Sequence, residues 1–190
     1  MTILHLRDMQ TKDFIHIQKV LDGDTAAYSH LVSEYKDMVY TLAFSILKQE
    51  TEAEDAAQES FIKAYQKLRS FKKDAKFSTW LYTITYRTAV YNLRRRKQMS
   101  ELPSEEVIGS DTSINQFAQL TQKEQRHYIR NAIKSLPETE GALITLYYLE
   151  ENTVEEISDI TGLSKSNVKV KLFRARKKLK ENLSPIIDEI

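Results

Sequence analysis

Thr153–Lys180, TVEEISDITGLSKSNVKVKLFRARKKLK, is the stretch whose reading decides the fold. Thr153 has the side chain of a helix cap, and Val154, Ile157 and Ile160 behind it share one face of a short helix. Gly162 then supplies the backbone freedom that a tight turn between helices needs. Leu163 is placed to plug that turn, and Ser164 to cap the helix that follows. Ser158, four residues before the glycine, is small enough for two helices crossing near a right angle to approach closely. The pattern is that of a helix-turn-helix.

The second helix of this unit has two distinct faces. Stepping ~100° per residue puts Val168, Leu172, Ala175 and Leu179 in one narrow apolar stripe that must turn inward. The opposite face is thereby Ser166, Lys169, Val170, Phe173, Arg174 and Lys177. An outward valine and phenylalanine among cations is unusual for a merely solvated helix. In a DNA major groove it is useful, because apolar atoms meet thymine methyl groups while Lys and Arg reach guanine or phosphate. Lys171, Arg176, Lys178 and Lys180 lie to the flanks, towards the phosphates.

Working outward, the net charge of +1 conceals a segregation of sign. Ser164–Lys180 is basic without a single acid, and Leu68–Lys97 is basic with only Asp74 against it, so two separate cationic surfaces are offered to a polyanion. Between them, MSELPSEEVIGSDTSINQFAQLT, residues 99–121, has Pro103, Gly109 and no sustained helical period. It reads as a flexible linker separating domains at 1–98 and 122–190. The chain has 190 residues, 41% of them hydrophobic and 29% charged, with only four Gly, three Pro and abundant helix formers. That composition predicts an all-α protein of two small helical domains, the C-terminal one containing the helix-turn-helix. The absence of Cys removes disulfides, thiolate catalysis and Cys-ligated zinc, and fits a reducing cytoplasm. No apolar run is long enough for membrane insertion, and the first residues are charged too early for a signal peptide.

Within the N-terminal domain, a first helix is expected after Asp24, over TAAYSHLVSEYKDMVYTLAFSILK, as one piece or two. Thr51 heads the next, TEAEDAAQESFIKAYQKLRSF, with Glu54 three residues on as in a capping box. In it Ala57, Phe61, Ala64 and Leu68 form the buried stripe, while Asp55, Gln58, Glu59, Ile62 and Gln66 line the far side. An isoleucine ringed by acids and amides has the composition of a small protein contact. A third helix starts near Ser78, after a basic loop, and ends on a run of Arg and Lys suited to a helix C-terminus. In the C-terminal domain a helix over 122–135 is expected, then a second opened by Pro137 and ending near Asn152.

EDAAQESFIKAYQKLRSF followed by FSTWLYTITYRTAVYNLRRRK resembles regions 2.2 to 2.4 of RNA polymerase sigma factors of the sigma-70 family, extracytoplasmic-function group. The stretch from Leu136 to Lys180 resembles their region 4, and the two likenesses fall in the family's order with a linker between. The resemblance implies a sigma factor, which is not an enzyme: it binds core RNA polymerase and directs initiation at promoter DNA. On that footing Asp55, Gln58, Glu59 and Ile62 would meet the polymerase's clamp helices. Lys72, Lys73, Phe77, Ser78, Thr79, Trp80, Tyr82, Tyr86 and Arg87 would open the minus-ten element and hold its unpaired bases, by stacking and phosphate contact. Ser166, Lys169, Val170, Phe173, Arg174 and Lys177 would read the minus-thirty-five element as duplex. The family linker threads the polymerase's active-site and exit path, which suits the acids Glu101, Glu105, Glu106 and Asp111. Relatives are commonly held by an anti-sigma factor. Tyr86 and Arg87 stand where many relatives have Arg-Asn, and Tyr91 where Asp is usual, so base preference at the minus-ten element does not transfer.

Trp80 also suits a core position, since Phe77, Leu81 and Ile84 make an apolar stripe beside it. For an enzyme, no phosphate loop, nucleophile elbow or paired metal-ligand spacing is present, and His5, His16, His30 and His127 are scattered singly, so no cofactor or metal is expected. The remaining alternative is a stand-alone helix-turn-helix regulator, a class that relies on dimer symmetry for affinity.

Overall fold

The computed structural model describes residues 3–99 and 131–187, and every regular element among them is helical. The expected linker lies outside the described residues except for Met99, as does most of the helix expected over 122–135, of which 131–134 are described and helical.

The N-terminal module is built from four helices. Helix α1, Ile3–Leu21, was not foreseen, although Phe14, Ile17 and Leu21 carry a helical period and Ile17 is fully buried. Asp24 precedes a single 3-10 turn, Thr25–Ala27, and makes no side-chain cap bond. Helix α2 then runs unbroken over Tyr28–Leu47 and stops at Lys48, whose backbone is left-handed at φ 64°. The expected capping box at Thr51 does not form: helix α3 spans Glu50–Lys67 and begins after Gln49, again with no side-chain cap. Glu50 and Glu52 stand in its first turn instead, where the helix dipole favours acids. Helix α4 spans Phe77–Met99 and closes on Arg96 and Lys97.

These helices form because their apolar stripes meet. Ala57, Phe61, Ala64 and Leu68 are buried as expected, against Leu42, Ile46, Leu81 and Ala89 of the neighbouring helices. Small alanines on α3 let it lie close to α2 and α4. An aromatic cluster of Phe71, Phe77 and Trp80 fills the corner under α1, with Phe71 5.3 Å and Phe77 5.7 Å from the Trp80 ring.

In the C-terminal module, the helical residues 131–134 are followed by Pro137, which precedes helix α5, Glu138–Ile144. A π-helical turn, Thr145–Leu149, continues it. Asn152 ends it by bonding both its backbone N–H and its side-chain amide to the Leu146 carbonyl, each at 3.1 Å. Helix α6, Val154–Thr161, and helix α7, Lys165–Ile187, complete the unit. The buried core runs without a break from Leu31 and Tyr82 to Leu143, Ile157 and Val168, so the two modules pack on each other.

Candidate nucleic-acid and polymerase interface

The helix-turn-helix is held in the way its residues predict, with one addition. Thr153 Oγ1 accepts from the Glu156 backbone N–H at 3.2 Å, and the Glu156 carboxylate accepts from the Thr153 N–H at 2.8 Å, a reciprocal capping box. Gly162 adopts φ 73° and closes α6, and Ser158 Oγ donates to the Leu163 carbonyl at 2.6 Å across the turn. Ser164 Oγ accepts from the Asn167 N–H at 3.3 Å, capping α7. Lys165 and Glu155, 2.9 Å apart, tie the starts of α6 and α7 together at the surface.

With Val168, Leu172 and Ala175 buried beneath, the outward face of α7 is what periodicity requires. Ser166, Lys169, Arg174 and Lys177 are exposed, Val170 is 48% exposed and Phe173 67%. Leaving a phenylalanine this open costs hydrophobic stabilisation unless something covers it. Arg174 makes no hydrogen bond or ion pair among the described residues. Arg176 does: its Nε donates to the Tyr148 hydroxyl at 2.8 Å and its guanidinium lies 5.3 Å from the Tyr147 ring centre. That places it as a brace between α7 and the π-helical turn.

On α3, Asp55, Gln58 and Ile62 are exposed, the isoleucine by 58%, and Glu59 is half-buried beside them. Lys63 Nζ meets Glu59 at 2.8 Å and Asn92 donates to it at 3.1 Å, and these bonds hold its carboxyl below the usual carboxylate range. Asn92 therefore positions a carboxylate of the patch from a different helix, 33 residues away, a partnership that no local pattern signals. Glu52, Asp55, Glu59, Asn92, Arg95, Arg96 and Met99 line an open groove of ~450 Å³ between α3 and α4 at this patch.

The third group splits by depth. Lys72, Lys73 and Arg87 are exposed, while Ser78, Trp80 and Tyr86 are half-buried. Phe77, Thr79 and Tyr82 are buried at 1%, 6% and 1% exposure. Lys73 carries a left-handed backbone at φ 62°, so the basic loop turns sharply beneath α1, where its Nζ reaches Gln18. Tyr82 donates to Glu150 of the C-terminal module at 2.5 Å, and Lys76 Nζ meets Glu156 at 2.7 Å. Burial pushes the Glu150 carboxyl above its usual range despite the Tyr82 bond. For Glu156 burial also acts upward, but the bonds from Lys76 and Thr153 outweigh it and its net shift is downward.

No group of three or more His, Asp or Glu side chains that could hold a metal occurs among the described residues. No helix among them is long and apolar enough to cross a membrane.

Comparison with known proteins covers both modules. A family model described as Sigma-70 region 2 matches residues 31–99, and one described as Sigma-70, region 4 matches residues 126–179. The ECF RNA polymerase sigma factor SigW of Bacillus subtilis is 33% identical over 178 residues, covering 88% of this chain and 94% of that one. The ECF RNA polymerase sigma-E factor of Escherichia coli K12 is 32% identical over 187 residues, covering 94% and 97%. Among solved structures, the sigma factor RpoE in complex with the anti-sigma factor NepR from Bartonella quintana matches with TM-score 0.66 at 23% identity, over 83% of this chain and 96% of that one. CnrH in complex with the cytosolic domain of CnrY matches with TM-score 0.64 at 22% identity, over 92% and 98%. These structural likenesses concern the fold.

Proposed function

Since the chain belongs to the sigma-70 family, in its extracytoplasmic-function group, it is a sigma factor that directs RNA polymerase to promoters, and we propose how its surfaces divide that work. The acidic-apolar patch of Asp55, Gln58, Glu59 and Ile62 grips core polymerase. Ile62 supplies the desolvated centre, and Glu59, fixed by Lys63 and Asn92, supplies a charge already in place. The outward face of α7 lies in the major groove of the minus-thirty-five element. There Val170 and Phe173 meet methyl groups, while Lys169, Arg174 and Lys177 meet base edges and phosphates.

The minus-ten element is melted and held on α4 and the loop before it. Lys72, Lys73 and Arg87 neutralise the strand's phosphates, and Trp80 and Tyr86 offer rings for unpaired bases, with Phe77, Ser78, Thr79 and Tyr82 shaping the floor. The chemistry of RNA synthesis stays with the polymerase, and the site of action is the cytoplasm. An anti-sigma factor is proposed as a further partner, by likeness to RpoE, which was solved in complex with the anti-sigma factor NepR.

The observation that carries this reading is the presence of region 2 and region 4 in one chain that spans nearly the whole length of its relatives. A stand-alone regulator would not need region 2. The test is transcription in vitro with core polymerase, mapping start sites: this chain is expected to generate starts that core alone does not. Absence of both co-migration with core and new transcripts would defeat the reading.

A further inference from the structure

Helix α1 packs on α2 and on the 3-10 turn Leu68–Ser70, which leads into the loop that carries Lys72 and Lys73. Two contacts fix it on α2. The Tyr35 hydroxyl donates to the Asp13 carboxylate at 2.7 Å, and the His16 and His30 rings stack with centres 4.4 Å apart. Two further side chains of α1 meet the loop. Phe14 stacks on Phe71 at 6.3 Å between ring centres, and the Lys73 ammonium lies 6.0 Å from the Phe14 ring centre. Lys73 Nζ also donates to the Gln18 side-chain oxygen at 3.3 Å. The Gln18 amide is oriented from both ends: Lys73, which has only donors, takes its oxygen, and the Asp22 carboxylate, which only accepts, takes its nitrogen at 3.0 Å.

Lys73 holds a left-handed backbone at φ 62°, a conformation that any Cβ disfavours. Strain of this kind persists where the surroundings over-determine it, and it gathers at sites of function. The side chains that reach the lysine are Phe14 and Gln18, both on α1. Lys73 is nevertheless exposed and forms no ion pair among the described residues. An ammonium has three donors and Gln18 takes one, which leaves two for phosphate. Resting on the sigma reading above, we propose that α1 is a positioning element for the minus-ten loop: Gln18, with the Phe14 ring as a second wall, holds the Lys73 ammonium where it neutralises one phosphate of the melted strand. Gln18 acts through Lys73 and not on DNA itself, so it is a positioning residue. An exposed lysine left alone samples many rotamers, and ordering one such side chain only on binding weakens affinity about 2–10-fold. A glutamine without charge thereby decides how many phosphates the loop neutralises.

The probe is a single-stranded oligonucleotide carrying the non-template minus-ten segment of a promoter found by the start-site mapping above, bound to holoenzyme and followed by anisotropy. Gln18 is exposed, so Gln18→Ala is expected to keep the parental circular dichroism melt and the parental affinity for core polymerase. It should bind the oligonucleotide about 2–10-fold more weakly. The slope of log affinity against log salt should flatten by about 0.7, the share of one single-strand phosphate, although the substitution removes no charge. In a Lys73→Ala background, Gln18→Ala should add no further loss, because the ammonium it places is gone. Affinity at or above the parental value, an unchanged salt slope, or losses that add across the two backgrounds each overturns the positioning role. A parent chain that yields no new starts with core defeats the sigma reading itself, whereas a parent that yields starts while the two losses add defeats the role of α1 alone.

Discussion

Phe173 and Ile62 are two large apolar side chains left open to solvent, at 67% and 58%. Each is ringed by polar groups that would orient a partner, but the partners differ in sign. Ile62→Asp is expected to weaken core polymerase binding by about 1–2 kcal/mol while sparing DNA recognition, because a buried contact centre would then carry an unpaired charge. Arg174→Ala should do the reverse, costing ~1–3 kcal/mol at the upstream element with core affinity unchanged. Fluorescence anisotropy with core, and separately with promoter duplex and holoenzyme, reads the two losses, and equal losses in both assays would count against the division of faces. A residue of another kind is Asp13, whose carboxyl accepts from the Tyr35 hydroxyl at 2.7 Å and is pushed up to about 6 by burial. A raised carboxyl favours the folded state while it is neutral. Its contribution is full below the ordinary value of 3.8 and is lost as pH rises through about 6. Asp13→Asn is expected to remove that loss, flattening thermal stability between pH 4 and about 6; an unaltered slope would show that Asp13 is solvated.

Among the elements, the helix-turn-helix was legible almost to the residue and the N-terminal helices less so, for a physical reason. Thr153, Gly162 and Ser164 act on backbone groups within four residues of themselves, so their roles are written locally. Thr51 and Glu54 have the letters of a capping box, but α3 starts at Glu50, because the buried stripe from Ala53 onward can extend a turn further back. The contrast is measurable. Thr153→Ala is expected to destabilise the C-terminal module by ~1 kcal/mol, and Thr51→Ala to leave thermal stability within about 0.5 kcal/mol of the parent. Helix α1 was hidden for a different reason. Nine of its 19 residues are apolar, Ile15 among them on the exposed side, so packing of Phe14 and Ile17 on the later helices is what marks the buried face. The candidate surfaces on α3 and α7 could be read because each is the complement of a buried stripe on one helix. What could not be read are the partnerships that join helices distant in sequence: Asn92 with Glu59, Tyr82 with Glu150, Lys76 with Glu156.

For the whole molecule, two half-buried ionisable groups at the contact between modules have opposite signs, and together they shape how that contact depends on pH. Glu150 faces Tyr82 and Lys76, has Glu151 beside it, and lies near Tyr35 and Asp13 beyond the Tyr82 ring; burial raises its carboxyl. Its contribution to the contact is full when it is neutral and is lost as pH rises through that raised value. Lys48 faces Glu138, Lys134 and Lys178, and burial pushes its ammonium down to about 8. Its contribution is full above its ordinary value of 10.5 and is lost as pH falls through about 8. Glu138 and Glu156, paired with Lys97 and Lys76, titrate below the ordinary carboxylate value and so stay charged through this window. Contact between the modules is therefore weakest between the Glu150 transition and about pH 8. In a chain labelled at positions 97 and 138, energy transfer is expected to be high in mild acid, lowest near neutrality and high again in alkali. Glu150→Gln, which stays neutral at every pH, should abolish the acid limb and keep the alkaline one. A parental profile in that variant would mean that Glu150 is solvated and the modules are held by other contacts.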